Sequence, residues 1–352
     1  MASLVNKSNI IKIVGQLVGV LNSRSKDVIS RRFGLKSGKK ETLDSIGKSY
    51  SITRERVRQI EAVALKQMGD FLNSGFQKNV EPYLAMANSV LEEHGGALLD
   101  SDFFQKYFGD LKDKVSIAAL TLIMTLNKNP KSYPETDDIK SFWTMSEQHA
   151  EKSQKTALAM VNLFKKHSGP VSEVELMDFY KKNYDLSHVD AKAFLASINL
   201  SKEINKNIFG EVGLVSWPSV KPRGVRDKAY LVVKRDGKPK HFRDIAKLIN
   251  STGFSNRKAN VQTVHNELIK DSRFVLVGRG TYGLTEWGYK AGTVKDVLVD
   301  LLRSAKKPLL KNELVSQVLT HRMVKENTIL LNLQDSKTFK KTESGHYTLR
   351  EA

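Results

Sequence analysis

The 352-residue chain contains no cysteine, which excludes disulfides, cysteine-ligated zinc ribbons and thiol catalysis. No apolar run reaches the ~18–20 residues that a membrane span needs. No lipidation motif or polybasic cluster beside a hydrophobic anchor is present. The apolar start, MASLVNKSNIIKIVGQLVGVLNSRSKD, is interrupted by Lys7 and Lys12, and no small-residue cleavage site follows it cleanly. It reads as an amphipathic helix and not as a leader. Eight histidines are scattered without H-E-x-x-H or other metal-ligand spacing. There is no phosphate-binding P-loop, no G-x-S-x-G elbow and no Ser/His/Asp grouping. The expectation is a cytoplasmic protein that is not an enzyme and takes no metal and no small-molecule cofactor.

Charge is abundant, and it is unevenly placed. The chain holds 57 basic and 38 acidic side chains, a balance of +19. Residues 1–80 carry +9, residues 81–218 carry −4, residues 219–290 carry +10 and residues 291–352 carry +4. Two strongly basic segments separated by an acidic one point to two surfaces that face polyanions.

An internal repeat appears when the glycine and proline punctuation is aligned. LEEHGGALLDSDFF, FKKHSGPVSEVELM, VKRDGKPKHFRDIA and LRSAKKPLLKNELV each join an apolar-periodic helix to a second helix through a short turn. Pro170, Pro239 and Pro308 fall 69 residues apart, with Ala97 in the corresponding place of the first copy. Each copy closes on a strand-like or hairpin-like run: SFWTM, EVGLVSW, GRGTYGLTEW or SGHYTL. Helices closing with a β-hairpin in ~65–70 residues outline a winged helix. The first copy is the most weakly marked. WPSVKPRG, residues 217–224, reads as the linker between an acidic and a basic half.

Residues 1–70 stand apart, with three or four helices and no hairpin. Ile10, Ile11, Val14, Leu17, Val18 and Leu21 keep helical spacing, as do Val28, Ile29 and Phe33. Gly34 stops the second helix, Thr42 caps a short one, and Thr53 caps the next, with Glu55 in its first turn. Val57, Ile60, Ala64 and Met68 set the inner face, so Glu55, Arg58, Gln59, Ala62 and Lys66 point outward. Two helices around a tight turn, with long polar residues at the start of the second, form a helix-turn-helix suited to the major groove. Arg pairs with guanine, Gln with adenine, and Glu accepts from cytosine. From pattern alone, a solvated charged face fits about as well as base readout.

The run RRFGLKSGKKETLDSIGKSYSITRERVRQIEAVALKQM, residues 31–68, closely resembles region 4 of bacterial primary sigma factors. The resemblance extends over about residues 24–68. It implies that Arg54, Glu55, Arg58 and Gln59 face the bases of double-stranded DNA and that Arg24, Thr42 and Arg56 lie near phosphates. It also implies docking on the β flap of RNA polymerase. The polymerase-gripping, promoter-melting segment that normally precedes region 4 has no counterpart in the ~23 residues before the match, so the chain is not expected to initiate transcription alone.

KAYLVVKRDGKPKHFRDIAKLIN and VQTVHNELIKDSRFVLVGRGTYGLTEWGY resemble the HARE helix-turn-helix domain, a winged-helix module found in the RNA polymerase δ subunit among others. Pro239 fixes a turn, and Phe242, Ile245, Leu248 and Ile249 turn inward, as do Val261, Val264 and Leu268. Gln262, Thr263, Asn266 and Lys270 are then left to face a groove, with Arg273 and Arg279 flanking the hairpin near phosphate. Gly278–Gly283 also spells G-x-G-x-x-G. A returning strand follows it instead of a helix, so it reads as a hairpin turn needing positive φ.

The expected fold is mainly α with short β-hairpins: an N-terminal helix-turn-helix domain followed by tandem winged-helix modules. The expected layout is region 4-like at 1–75, a weak winged-helix-like module at 80–148, a second at 151–218, the HARE-like domain at 225–289 and a last module at 291–352. The expected function is nucleoid-associated, promoter-reading regulation with RNA polymerase as a partner. An adaptor docking on polymerase with little DNA readout, and a specificity subunit of a DNA-modification or restriction system, are the alternatives. The oligomeric state is left open.

Overall fold

A computed structural model describes residues 7–184, 190–254, 257–289 and 291–350. Two compact units divide the chain: Met1–Asn205 with Glu211–Val215, and Lys206–Gly210 with Ser216–Ala352. The last change of unit, between Val215 and Ser216, falls just before the expected linker. No helix among the described residues is long and apolar enough to cross a membrane.

The first unit opens with four helices, α1 (Lys7–Gly19), α2 (Ser23–Phe33), α3 (Leu43–Tyr50) and α4 (Arg54–Phe71). Their ends follow the sequence closely. The Asn22, Thr42 and Thr53 side chains cap α2, α3 and α4, each accepting from a backbone N–H three residues on. Gly34 ends α2 in the left-handed conformation at φ 76°. Ile11, read as part of the inward stripe, is 42% exposed, and α1 buries Ile10, Ile13, Val14, Leu17 and Val18 instead.

The same element order then appears four times: helix, short strand, two helices, two strands. In the first unit it runs α5 (Gln77–Glu92), β1 (Ala97–Leu99), α6 (Asp100–Phe108), α7 (Lys114–Asn127), β2 (Lys131–Tyr133) and β3 (Phe142–Thr144). It continues as α8 (Glu147–Lys166), β4 (Val171–Ser172), α9 (Leu176–Lys181), α10 (Ala191–Asn199), β5 (Ile204–Lys206) and β6 (Glu211–Leu214). The second unit holds α11 (Val225–Asp236), β7 (Lys240–His241), α12 (Phe242–Thr252), α13 (Val261–Lys270), β8 (Phe274–Gly278) and β9 (Thr281–Leu284). It closes with α14 (Val294–Ala305), β10 (Leu309–Leu310), α15 (Lys311–His321), α16 (Glu326–Leu333), β11 (Phe339–Lys341) and β12 (His346–Leu349).

In every copy the last strand lies between the other two: β1-β3-β2, β4-β6-β5, β7-β9-β8 and β10-β12-β11. Trp143 faces Leu98 on one side and Ser132 on the other, and Tyr282 faces Lys240 and Leu276 in the same way. Pro170, Pro239 and Pro308 each stand one residue before a first strand, where the missing N–H breaks no ladder. The weakly marked first copy has the same sheet as the rest, and its β3 is fully buried.

The core of the first unit is continuous across residues 75–80. One apolar cluster includes Ile10 and Leu17 of α1, Met68 of α4, Leu72, Phe103 of α6, Leu120 and Ile123 of α7, and Trp143 of β3. At its centre lies α7, buried at every position from Ala118 to Met124. A helix that is apolar all round must be enclosed, and α1, α2 and α4 pack on α7 along with α5 and β2. A π-helical turn, Leu72–Phe76, links α4 to α5, with Gly75 at φ 118° making the kink.

In the second unit each repeat has its own core. The edge strand β8 is covered: Val277 O accepts from Met323 N at 2.7 Å, and the buried Arg322 donates to Leu276 O and, at 2.6 Å, to Gly292 O. The hairpin glycines serve two ends. Only Gly280 has positive φ, at 66°, whereas a Cβ on Gly278 would lie 2.7 Å from Met323 O and one on Gly283 2.7 Å from the Tyr289 ring. The expectation that all three supply positive φ is corrected: two are there for close approach.

Candidate nucleic-acid interface

α3 and α4 meet at a tight turn over a small cluster of Val28, Ile46 and Val57, with Leu43, Tyr50, Ile52 and Ile60 half-buried around it. Ser51 turns the chain in the left-handed conformation at φ 54°, and Ile52 N donates to Gly47 O at 3.0 Å. Gly47 is buried because the turn leaves no room there: a Cβ would lie 2.7 Å from Ile52 O. Gly47→Ala is therefore expected to lose about 1 kcal/mol or more of stability through overpacking. The check is the shift of the denaturation midpoint against wild type.

The outer face of α4 is as the helical spacing predicts. Arg54, Glu55, Arg56, Arg58, Gln59, Ala62 and Lys66 are all exposed, while Val57, Ala64 and Met68 are buried. These side chains are tied to one another. Arg58 donates to Glu55 through two bonds, Nε at 2.8 Å and Nη2 at 2.7 Å. Those bonds hold the Glu55 carboxyl below its ordinary range. Arg56 Nη1 donates to Gln59 Oε1 at 3.0 Å. Arg54, at the tip of the helix, makes no ion pair among the described residues. The arrangement is a cationic tip followed by two prearranged donor–acceptor pairs along one ridge.

Around that ridge, some arginines are spent on the fold. Arg31 forms a fork with Glu41, with bonds of 2.9 and 2.7 Å, and Arg32 pairs with Glu61 at 3.1 Å. The Tyr50 hydroxyl donates to Asp27 at 2.9 Å, which with burial raises the phenol's pKa. Arg24 is exposed, its guanidinium 5.2 Å from the centre of the Tyr50 ring. Thr42, also exposed, uses its hydroxyl to cap α3.

The second expected set lies in the other unit. Asn260 caps α13 by accepting from Gln262 N and Thr263 N. Gln262, Thr263, Asn266 and Lys270 are exposed along α13, and Gln262 Nε2 donates to Asn266 Oδ1 at 3.1 Å. Val264 and Leu268 turn inward, but Val261 is 40% exposed at the helix tip. Arg279 is exposed in the hairpin turn. Arg273 is engaged elsewhere: it bonds Asp271 at 2.6 Å and Asp227 at 2.9 Å, with its guanidinium 4.7 Å from the Tyr230 ring centre. Burial alone would push Asp271 up, yet the Arg273 hydrogen bonds outweigh it and hold the carboxyl below its usual range. The structure thus places Arg273 as a brace between α11 and the start of β8.

Sequence reasoning passed over the loop between α2 and α3. Lys36, Lys39 and Lys40 are exposed there, and the signal was the KSGKK run itself.

The comparisons with known proteins fall on this N-terminal segment. The family model described as Sigma-70, region 4 matches residues 17–68. The chain is 43% identical over 53 residues to the RNA polymerase sigma factor SigA of Lactococcus lactis subsp. cremoris, covering 15% of each chain. It is 46% identical over 56 residues to the SigA of Clostridium acetobutylicum, again 15% of each. With the SigA of Microcystis aeruginosa it shares 39% over 64 residues, 18% of this chain and 15% of that one. The chain therefore spans about one-seventh of the length of these relatives. Residues 17–68, the segment that carries the α3–α4 turn, are a sigma-70 region 4 domain.

Proposed function

We propose that this chain is a DNA-binding regulator of transcription whose region 4 domain reads a promoter-like duplex element and associates with RNA polymerase, with the β flap as the docking point. The observation that carries this is the α4 ridge. Arg54, Glu55, Arg58 and Gln59 stand exposed at the N-terminal end of the second helix of a helix-turn-helix, within a segment that matches the sigma-70 region 4 family. Arg24, Arg56 and the Thr42 end of α3 take phosphates in this reading. The four α-β-α-α-β-β repeats are winged-helix modules. The one at 225–289 is the HARE-like member, and its α13 face (Gln262, Thr263, Asn266 and Lys270) adds a second DNA contact with Arg279 beside it. Arg273 keeps its structural role. The protein acts by binding and not by catalysis.

An adaptor reading, in which the chain docks on polymerase with little readout of DNA, draws support from one feature. The third helix of the first repeat, α7, is buried at every position from Ala118 to Met124, so the middle of that helix is not offered to a groove. A salt titration separates the two. The full chain's affinity for duplex DNA is expected to fall steeply with added salt, with a slope of about −0.9 per neutralised phosphate. A chain that captures polymerase but shows no salt-steep duplex binding would be an adaptor.

A further inference from the structure

The lysines of the α2–α3 loop do not stand alone. Gly38, at φ 69°, lets the loop touch the start of α7 so closely that a Cβ there would lie 2.3 Å from Lys114 Cβ. The loop is fixed, with Gly38 N donating to Gly34 O at 2.8 Å and Glu41 N to Arg31 O at 2.9 Å. Lys36, Lys39 and Lys40 on the loop, and Lys112 and Lys114 at the tip of α7, are all exposed. None of the five has an ion-pair partner among the described residues. Three carboxylates nearby are engaged, Glu41 by Arg31, Asp113 by the Ser116 backbone and hydroxyl, and Asp110 by the Lys112 backbone N–H. A fourth, Asp100, feels the charge of Lys40 without forming an ion pair, and burial pushes its carboxyl up, which weakens its claim on that lysine. Thr42, at the α3 end proposed to meet phosphate, comes two residues after Lys40.

We infer that Lys36, Lys39, Lys40, Lys112 and Lys114 form one phosphate-gripping surface, by which the first repeat extends the duplex footprint of the region 4 domain. This rests on the DNA-binding reading above. Flexible ammonium groups without aromatic neighbours suit backbone oxygens and carry no base information, so the surface adds affinity and leaves sequence preference alone. It also gives the first repeat, in which the middle of α7 is buried, a way to touch DNA through loop and helix tip.

The test measures salt dependence of binding by the full chain to a long duplex, on promoter-like and random sequences. Lys112→Gln/Lys114→Gln is expected to make the slope shallower by about 2 and to weaken binding about tenfold at moderate salt, equally on both sequences. Lys36→Gln/Lys39→Gln, on the other side of the contact, should do the same. Lys181→Gln/Lys182→Gln removes equal charge from the end of α9 and should leave the slope unchanged. If that control lowers it equally, net charge is responsible and the surface is not. A wild-type slope in both loop and tip variants overturns this inference alone. If those variants keep DNA binding but lose capture of polymerase, the surface takes an acidic protein and the inference is also overturned. Wild-type protein with no salt-steep duplex binding overturns both this inference and the function on which it rests.

Discussion

Leu120→Ala is expected to cost about 2–5 kcal/mol, and to unfold the helix-turn-helix together with the first repeat. Leu120 is fully buried in the middle of α7, within the cluster that also holds Leu17 of α1 and Met68 of α4. A side chain on a half-exposed helix can be replaced by local collapse. One enclosed by helices on both sides leaves a cavity, and the loss sits near the top of the usual range when the site cannot relax. The check is a denaturant titration of the full chain followed by hydrogen exchange of the α4 amides and of the α7 amides. The two signals should fall together in wild type and variant, with a lower midpoint and an unchanged slope in the variant. Two separated transitions, or a shift within a few tenths of a kcal/mol, would show that the region 4 domain stands on its own core.

Arg58→Ala is expected to weaken binding to a matching site roughly ten- to hundredfold, and to flatten preference at the contacted base pair, while barely touching affinity for random duplex. The geometry gives the reason. Glu55 holds the Arg58 guanidinium by two bonds, so under the proposed readout the fork would reach the groove already oriented and would lose less freedom on binding. Glu55→Gln should keep much of the affinity and blur the preference, since it loosens the fork without removing it. Competition binding against a panel of single-base variants reads both effects. Equal weakening of specific and random binding by Arg58→Ala would mean that this arginine only meets phosphate.

Much of the N-terminal domain was legible because its signals are local. Thr42, Thr53 and Gly34 mark helix ends within one turn, and Val57, Ala64 and Met68 repeat at helical spacing. The punctuating prolines likewise located the repeats. The shared core was not legible: KVSIAALTLIMTLN is apolar all round, so its pattern says that α7 is enclosed without saying by what. Nor could charge pairing be read. Arg31 finds Glu41 10 residues away, Arg32 finds Glu61 29 away and Arg273 finds Asp227 46 away. Such partners follow from tertiary packing, and no periodicity encodes them. The same limit hid the Lys36–Lys40 loop, whose meaning depends on Lys114 lying beside Gly38.

The run from α4 through the Leu72–Phe76 turn into α5, clamped by α7, also fixes an azimuth. A duplex makes one turn in about 10–10.5 base pairs. A helix seated in its groove therefore sets the angular position of everything rigidly attached to it. With α4 in the groove, the β1-β3-β2 sheet would be carried at one constant phase around the DNA axis. If α4 reads DNA as proposed, the first repeat would work as a pointer. The base sequence under α4 would decide where along the DNA it stands, and also which side of the double helix it faces.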